Sequence, residues 1–128
     1  MTLTETPPVS ISEAAERTGM STHALRYYER AGLMLNSVDR ASSTHRRYTE
    51  ADIRWVEFLT KLRSTAMPIS RVRDYVNLVR AGDATFAARL ELLRAHREAV
   101  IAQLEEITHS LAAIDHKIAI YQEGVLGS

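Results

Sequence analysis

One apolar pattern near the end of the chain limits the possible folds more than any other feature. Seam positions follow one another at alternating spacings of three and four, without a break, from residue 90 to residue 121. No proline or glycine lies between Ala84 and Glu123, so one helix of roughly 58 Å is predicted at about 1.5 Å per residue. The seam positions are Leu90, Leu93, Arg97, Val100, Leu104, Ile107, Leu111, Ile114, Ile118 and Tyr121.

A seam of this length needs a partner. The rest of a 128-residue chain makes only a small head, which could not cover such a helix. We therefore expect a coiled-coil homodimer, and the alternative is packing of the whole seam against its own head. Arg97 is the one charged seam position, and burying it unpaired would cost several kcal/mol. It lies where the seam opens towards the head, near a helix end, or beside Glu91 or Glu98 of the partner.

The composition favours a folded cytoplasmic protein of about one domain. Hydrophobic residues make up 45% of the chain and charged residues 25%, which is typical of globular proteins. There is no cysteine, which excludes disulfides, thiolate metal ligands, cysteine nucleophiles and thiol redox sensing. The polar start, residues 1–8, predicts a flexible arm. The sequence contains no run of roughly 18 apolar residues, so no membrane span is predicted.

Charge is divided unevenly although the net charge is zero. Residues 1–81 hold twelve Lys or Arg against nine Asp or Glu, and residues 82–128 hold four against seven. Between Arg17 and Tyr48 six arginines face only two acids. A basic head on a mildly acidic module suits nucleic-acid binding, and a solvated surface is the alternative.

Two short helices are predicted across a tight turn. Ser12 is the expected cap of a helix over residues 12–17. Ser21 is the expected cap of a second helix, which runs through Ala31 and which Gly32 closes. Residues 35–47 lack helical periodicity and predict a hairpin or loop. Thr49 opens a third helix with Asp52 at the capping-box position, and its predicted buried stripe is Ile53, Val56, Leu59 and Leu62.

A fourth helix completes the predicted head. Ser70 is its expected cap, and Ala81-Gly82 its expected end. Val72, Val76 and Val79 repeat at helical spacing between these limits. Asp83 is the expected cap of the seam helix.

The second helix carries residues suited to DNA. A helix in the major groove needs short hydrogen-bonding residues near the bases, and Ser21, Thr22 and His23 are of this kind. Arg26 and Arg30 lie one turn apart and suit phosphates, as does the Tyr27 hydroxyl. Ser21 also has a purely structural interpretation as a helix cap.

Four motifs in the chain resemble those of MerR-family transcription regulators. LRYYERAGL at residues 25–33 is similar to the end of their recognition helix, and ISEAA at residues 11–15 to the start of their first helix. RRYTEADI at residues 46–53 resembles their junction between wing and helix. IDHKIAIY at residues 114–121 is similar to the end of the dimer helix in short members. The resemblance spans about residues 9–122 in the family's order.

The resemblance implies a mainly α fold: a winged helix-turn-helix head followed by a long coiled-coil dimerisation helix, antiparallel in the family. The implied limits are 9–82 for the head, with the helix-turn-helix at 11–30 and the wing at 35–48. The dimer helix spans 83–122, before a tail at 123–128. Thr44 and Pro68 depart from the family, which commonly has glycine at both places. The implied DNA-binding residues are Arg17, Ser21, Thr22, His23, Arg26, Tyr27, Arg30, Arg46 and Tyr48.

Strand alternation gives the wing residues a physical basis. Arg46 and Tyr48 are two apart, so both side chains can face the same DNA backbone while Arg47 points elsewhere. Tyr28 is offset from Tyr27 by about 100° on the helix and is expected in the core.

The implied function is sequence-specific regulation of transcription. A homodimer would bind a palindromic promoter operator in double-stranded DNA, distort it, and so influence RNA polymerase indirectly. The alternatives are an effector-independent repressor of the same fold and a coiled-coil interaction adaptor with an incidental basic head. An enzyme is disfavoured because the chain lacks a glycine-rich phosphate loop and a spaced carboxylate and histidine set.

No cofactor or metal is expected. Without cysteine the chain cannot sense soft metals as metal-responsive relatives do, and His109 and His116 both fall on the outer side of the heptad. An effector would have to bind in the crevice between head and helix, or be another protein.

Overall fold

The structure of the protein is a computed structural model that describes residues 7–35, 39–40 and 46–127, with backbone alone for Asp39, Arg40 and Arg46. It divides into two compact units, Met1–Arg89 and Leu90–Ser128. The described part of the first unit contains four short helices and a small sheet, which together form the head. The second unit is helical throughout its described residues.

The first helix begins earlier than the sequence indicated. Strand β1, Val9–Ser10, runs directly into α1, Ile11–Thr18. The predicted cap Ser12 is wrong, because the strand delivers Ser10 in an extended conformation and its Oγ accepts a hydrogen bond from the Glu13 N–H at 3.2 Å. Ser12 then lies inside the first turn, where its side chain is exposed.

The second helix, α2, spans Thr22–Arg30, so it starts after the predicted cap Ser21 and ends one residue before the predicted Ala31, which is its C-cap. The Ser21 hydroxyl caps it by accepting from the Ala24 N–H at 3.0 Å. At the other end Gly32 takes a left-handed conformation with φ of 73°, which lets the Leu33 N–H donate to the Tyr28 carbonyl at 2.9 Å. Leu33 is fully buried, so the chain leaves this helix through the core.

Three short antiparallel strands form a sheet beside the helix pair. Strands β2, Asp39–Arg40, and β3, Arg46–Tyr48, make the expected hairpin, and β1 adds to the free side of β3, giving the order β1-β3-β2. Strand β1 is not visible in the sequence, because a strand of two residues has no period and its partner is distant along the chain. Its register pairs Val9 with Tyr48, and Thr44 lies outside the described residues.

Helix α3, Glu50–Ser64, has the predicted capping box, in which Thr49 and Asp52 each accept the other's backbone N–H. Its predicted stripe of Ile53, Val56, Leu59 and Leu62 is buried.

Helix α4, Ile69–Arg80, differs at its start from the prediction. Pro68, not Ser70, is the N-cap, and no side chain caps this end. The fixed φ of proline, here −60°, already suits an extended residue before a helix, so the helix begins two residues earlier than a cap at Ser70 would place it. Val72 and Val76 are fully buried against the rest of the head.

A single turn of 3-10 helix, Asp83–Thr85, precedes α5, which spans Phe86–Gly127. The uninterrupted helix is confirmed, but it starts three residues after Asp83 and continues through Gly124 beyond residue 122. None of the helices in the described part of the chain is long and apolar enough to cross a membrane.

Exchanging the two candidate caps of α1 tests this account of the helix start. Ser10→Ala removes an N-cap acceptor and should lower the free energy of unfolding by about 1 kcal/mol. Ser12→Ala, two residues along, should change it by less than about 0.5 kcal/mol. Urea unfolding at one fixed protein concentration measures both. The opposite ranking would restore Ser12 as the cap.

Candidate nucleic-acid interface

One face of α2 is a continuous polar stripe. His23, Arg26, Tyr27 and Arg30 follow the i, i+3, i+4, i+7 spacing of a single helix face, and all four are exposed. Leu25 and Tyr28, on the other side, are buried. The Tyr27 side chain is 41% exposed, so its hydroxyl is available to a ligand. The helix therefore presents two guanidinium groups, an imidazole and a phenol together.

The start of α2 has two residues in different situations. Ser21 is exposed but its Oγ is engaged as the cap of the helix. Thr22 is half-buried in the first turn. A helix start leaves four backbone N–H groups without a partner inside the helix, and here the Ser21 cap engages that of Ala24. The positive end of the helix dipole still makes this end favourable for anions.

Tyr28 fixes the helix from below. Burial raises the pKa of its phenol, and a hydrogen bond with Thr60 of α3 lowers that pKa by a smaller amount. Its ring meets that of Tyr27 edge to face, with centroids 6.2 Å apart. The core position predicted for Tyr28 is confirmed.

The structure corrects the role expected of Tyr48. Its side chain is only 1% exposed, and its hydroxyl donates a hydrogen bond to a Glu29 carboxylate oxygen on α2. Strand β3 lies in the middle of the sheet, and its successive side chains point alternately to the core and to the solvent. Tyr48 points into the core, so it joins the wing to the recognition helix and is not placed to touch DNA.

Arg47 is an exposed wing residue that is absent from the DNA contacts expected from the sequence. Its side chain is exposed on the central strand, next to the buried Tyr48. The signal was available, since alternation puts a residue outside once its large aromatic neighbour is assigned to the core. The Arg46 side chain lies outside the described part of the chain, although its backbone pairs with Arg40.

Arg17 is already paired. Its guanidinium forms two hydrogen bonds with the Glu50 carboxylate, at 2.7 and 2.8 Å, and so ties α1 to the start of α3. The contact holds the pKa of Glu50 below its usual value and raises that of Arg17. These residues are 33 apart in sequence, so local patterns could not reveal the pairing. A phosphate contact by Arg17 would have to compete with this carboxylate.

The seam predicted on α5 is largely solvent-exposed within one chain. Leu93 and Val100 are half-buried, whereas Ile107 is 64% exposed. Arg97 Nη1 lies 3.8 Å from a carboxylate oxygen of Glu98 in its own chain, and both side chains are exposed. The other exposed apolar seam residues are Leu90, Leu104, Leu111, Ile114, Ile118 and Tyr121.

The described residues contain no group of three or more His, Cys, Asp or Glu able to hold a metal ion. His109 and His116 are both exposed on α5. The arrangement offers cationic and hydrogen-bonding groups on one exposed face of α2, which suits them to contact an anionic partner.

These features define a helix-turn-helix regulator, and the comparisons with known proteins agree. The model of the MerR HTH family regulatory proteins matches residues 9–78. An uncharacterized HTH-type transcriptional regulator of Haemophilus influenzae is 33% identical over 118 residues, covering 91% of this chain and 87% of the relative. The HTH-type transcriptional regulator AdhR of Bacillus subtilis is 37% identical over 93 residues, covering 73% and 66%.

Solved structures give the same result for the fold. HiNmlR, a MerR family regulator lacking the sensor domain and bound to promoter DNA in its crystal structure, superposes with a TM-score of 0.86. It is 32% identical, with 94% of this chain and 92% of that chain covered. A MerR family regulator from Bacillus thuringiensis has a TM-score of 0.77 at 25% identity, covering 88% and 97%.

This chain belongs to the MerR family, and it is a DNA-binding transcriptional regulator of the MerR type. The fold expected from the sequence, a winged helix-turn-helix head followed by a long helix, is confirmed.

Paired tyrosine variants test the corrected role of Tyr48. Tyr48→Phe removes a buried hydrogen bond to a carboxylate, so the free energy of unfolding should fall by about 1.5 to 3 kcal/mol. Tyr27→Phe removes an exposed hydroxyl and should change stability by less than about 0.5 kcal/mol. Urea titrations followed by circular dichroism compare the two. Equal stabilities for both variants would contradict the buried placement of Tyr48.

Proposed function

We propose that the protein binds a palindromic promoter operator in double-stranded DNA as a homodimer, and regulates transcription by distorting that DNA. Each α2 enters the major groove, and the wings hold the flanking backbone. RNA polymerase is affected through the altered promoter rather than through a contact of its own. The protein then acts in the cytoplasm, at the nucleoid.

The observation that carries this proposal is the exposed stripe on α2. Arg26 and Arg30 are one turn apart, as a helix lying along a phosphate backbone requires. Tyr27 adds a third phosphate contact. Thr22 and His23 lie at the end of the helix that points into the groove, where short polar groups read bases. In the wing we propose Arg46, together with the exposed Arg47.

The exposed seam of α5 supports the homodimer. A second copy of the same helix offers the matching apolar stripe, and twofold symmetry makes that surface self-complementary. The stripe continues past the predicted end at Tyr121, because Val125 repeats the heptad and is 75% exposed. Ile118, Tyr121, Gln122, Val125 and Leu126 line an apolar groove there, which extends the proposed dimer surface.

Promoter distortion follows from a fixed distance between two heads. A rigid coiled coil sets that distance, so the DNA must adjust its twist or bend when half-sites do not match it. The DNA-bound structure of the relative HiNmlR supports promoter binding at nearly full chain coverage.

A second candidate is regulation without a small-molecule effector. HiNmlR lacks the sensor domain, and the present chain aligns with nearly all of it. A repressor that simply occupies its operator would need only the head and α5.

Arg26→Ala tests the phosphate role of the stripe. Removing one phosphate contact should weaken binding to every duplex about equally and lower the slope of log affinity against log salt by about one. Lys61→Ala, an exposed cation on α3, is the matched control and should leave both quantities unchanged. The operator is the duplex selected from genomic fragments by the wild-type protein, and fluorescence anisotropy follows the titrations. An unchanged affinity and slope for Arg26→Ala would contradict the proposed interface.

A charge placed in the seam tests the dimer. Ile107→Asp should prevent dimerisation, because an unpaired buried carboxylate costs several kcal/mol at each of two symmetric sites. Tight operator binding should be lost with it. His109→Asp puts the same charge on the outer side of the helix and should leave the dimer intact. Sedimentation measures the mass of each variant. A stable Ile107→Asp dimer would refute the heptad register, and a dimer that binds no DNA preferentially would favour the adaptor alternative.

A further inference from the structure

The segment that follows α2 is held by side chains from two other helices. Arg73 Nη1 of α4 donates to the Ala31 carbonyl at 2.7 Å. Trp55 Nε1 of α3 donates to the Leu33 carbonyl at 2.8 Å. Arg80 of α4 donates to the Met34 carbonyl. Three backbone acceptors within four residues are therefore satisfied from outside the helix-turn-helix.

Arg73 acts at the negative end of α2, because Ala31 is the C-cap of that helix, and Arg80 acts three residues further along, at Met34. The last carbonyls of a helix have no partner within the helix and carry its partial negative charge, so a guanidinium there is favourable. Arg73 and Arg80 are seven residues apart on α4, which places them on one face two turns apart. Their targets lie on either side of Gly32, where the chain turns out of α2. Together they fasten α4 to the exit of the recognition helix.

Helix α4 is also fastened at its own end. The Thr85 hydroxyl donates to the Leu78 carbonyl at 2.6 Å, and Arg89 Nη2 donates to the Gly82 carbonyl at 2.7 Å. Arg89 belongs to the first turns of α5. The end of α4 is therefore fixed to the chain that begins the long helix, while its arginines hold the end of α2.

We propose that Arg73 and Arg80 are positioning residues that set the tilt of α2 in the major groove, and so determine sequence selectivity without touching DNA. This inference rests on the proposed function. Leu25, Tyr28 and Leu33 already bury the helix in the core, so the exposed arginines are not needed to form it. What they add is a fixed direction for its exit.

A small tilt has a large effect on base contacts. Helix α2 has nine residues, so it is about 13 Å long, and a tilt of about 10° moves its far end by about 2 Å. Hydrogen bonds to base edges tolerate only a few tenths of an ångström. Phosphate contacts by long, flexible arginine side chains tolerate more. Loosening the exit of α2 should therefore weaken operator binding more than binding to unrelated DNA.

The experiment compares two duplexes of equal length, the operator selected by the wild-type protein and an unrelated sequence. Arg73→Ala should lower operator affinity about tenfold or more, and leave both the affinity for unrelated DNA and the salt slope unchanged. Arg80→Ala should act in the same direction. Arg73→Lys keeps a cationic donor and should restore part of the selectivity. Arg71→Ala is the control, because Arg71 is on the same helix but pairs with exposed Asp74 at 3.2 Å.

Three outcomes would overturn the inference. Unchanged selectivity in Arg73→Ala and Arg80→Ala would remove the positioning role. An equal loss on both duplexes with a salt slope reduced by about one would make the arginines phosphate ligands. An equal loss with a lower urea midpoint would make them purely structural. If the wild-type protein selected no genomic fragment, the proposed function itself would fail, which separates that failure from failure of this inference.

Discussion

The exposed apolar face of α5 is the constraint on which the rest of the molecule depends. Each large aliphatic side chain left in water forgoes about 1.5 to 3 kcal/mol of burial, and the exposed face runs from Leu90 to Leu126. A head of this size buries a small fraction of its surface on folding, so its stability as a separate domain is low. In the proposed homodimer, pairing of two such faces brings two heads into one molecule. The proposed recognition of an operator by the short α2 then depends on the seam of α5, since one head reads only one half-site.

Local patterns were enough to predict most helices and the seam. Ser21 and Thr49 are predictable as N-caps because a capping hydrogen bond joins residues only three apart. The heptad repeat predicts an uninterrupted helix. The errors at Ser12 and Ser70 have one physical cause. Several polar residues can cap a helix, and the choice depends on which of them the preceding chain holds in an extended conformation. For Ser10 that was strand β1 and for α4 the ring of Pro68, and neither effect is visible in helical periodicity.

The functional surface was harder to predict than the fold because long-range pairs decide which cations are available. Arg17 counted as one of six basic residues in the sequence, yet Glu50 of α3 engages it with two hydrogen bonds. Arg47 is not among the expected DNA contacts, yet its side chain is exposed beside the buried Tyr48. The net charge of a segment therefore overstates its attraction for phosphates. Attraction for phosphates depends on the exposed cations that no carboxylate engages. On α2 the spacing of the residues in the sequence is enough to predict the exposed stripe.

Glu29 shows how the wing completes that surface. It is the only acid on α2, between Tyr28 and Arg30, and a carboxylate on this helix would repel the phosphates that its arginines attract. The structure keeps Glu29 half-buried and gives it the Tyr48 hydroxyl as a donor. A hydrogen bond to a carboxylate is strong and directional, so it draws the charge towards the sheet and away from the exposed stripe. The same bond joins β3 to α2. In the proposed interface Tyr48 therefore supports DNA binding from inside the core, because it fixes α2 and holds the Glu29 carboxylate towards the sheet.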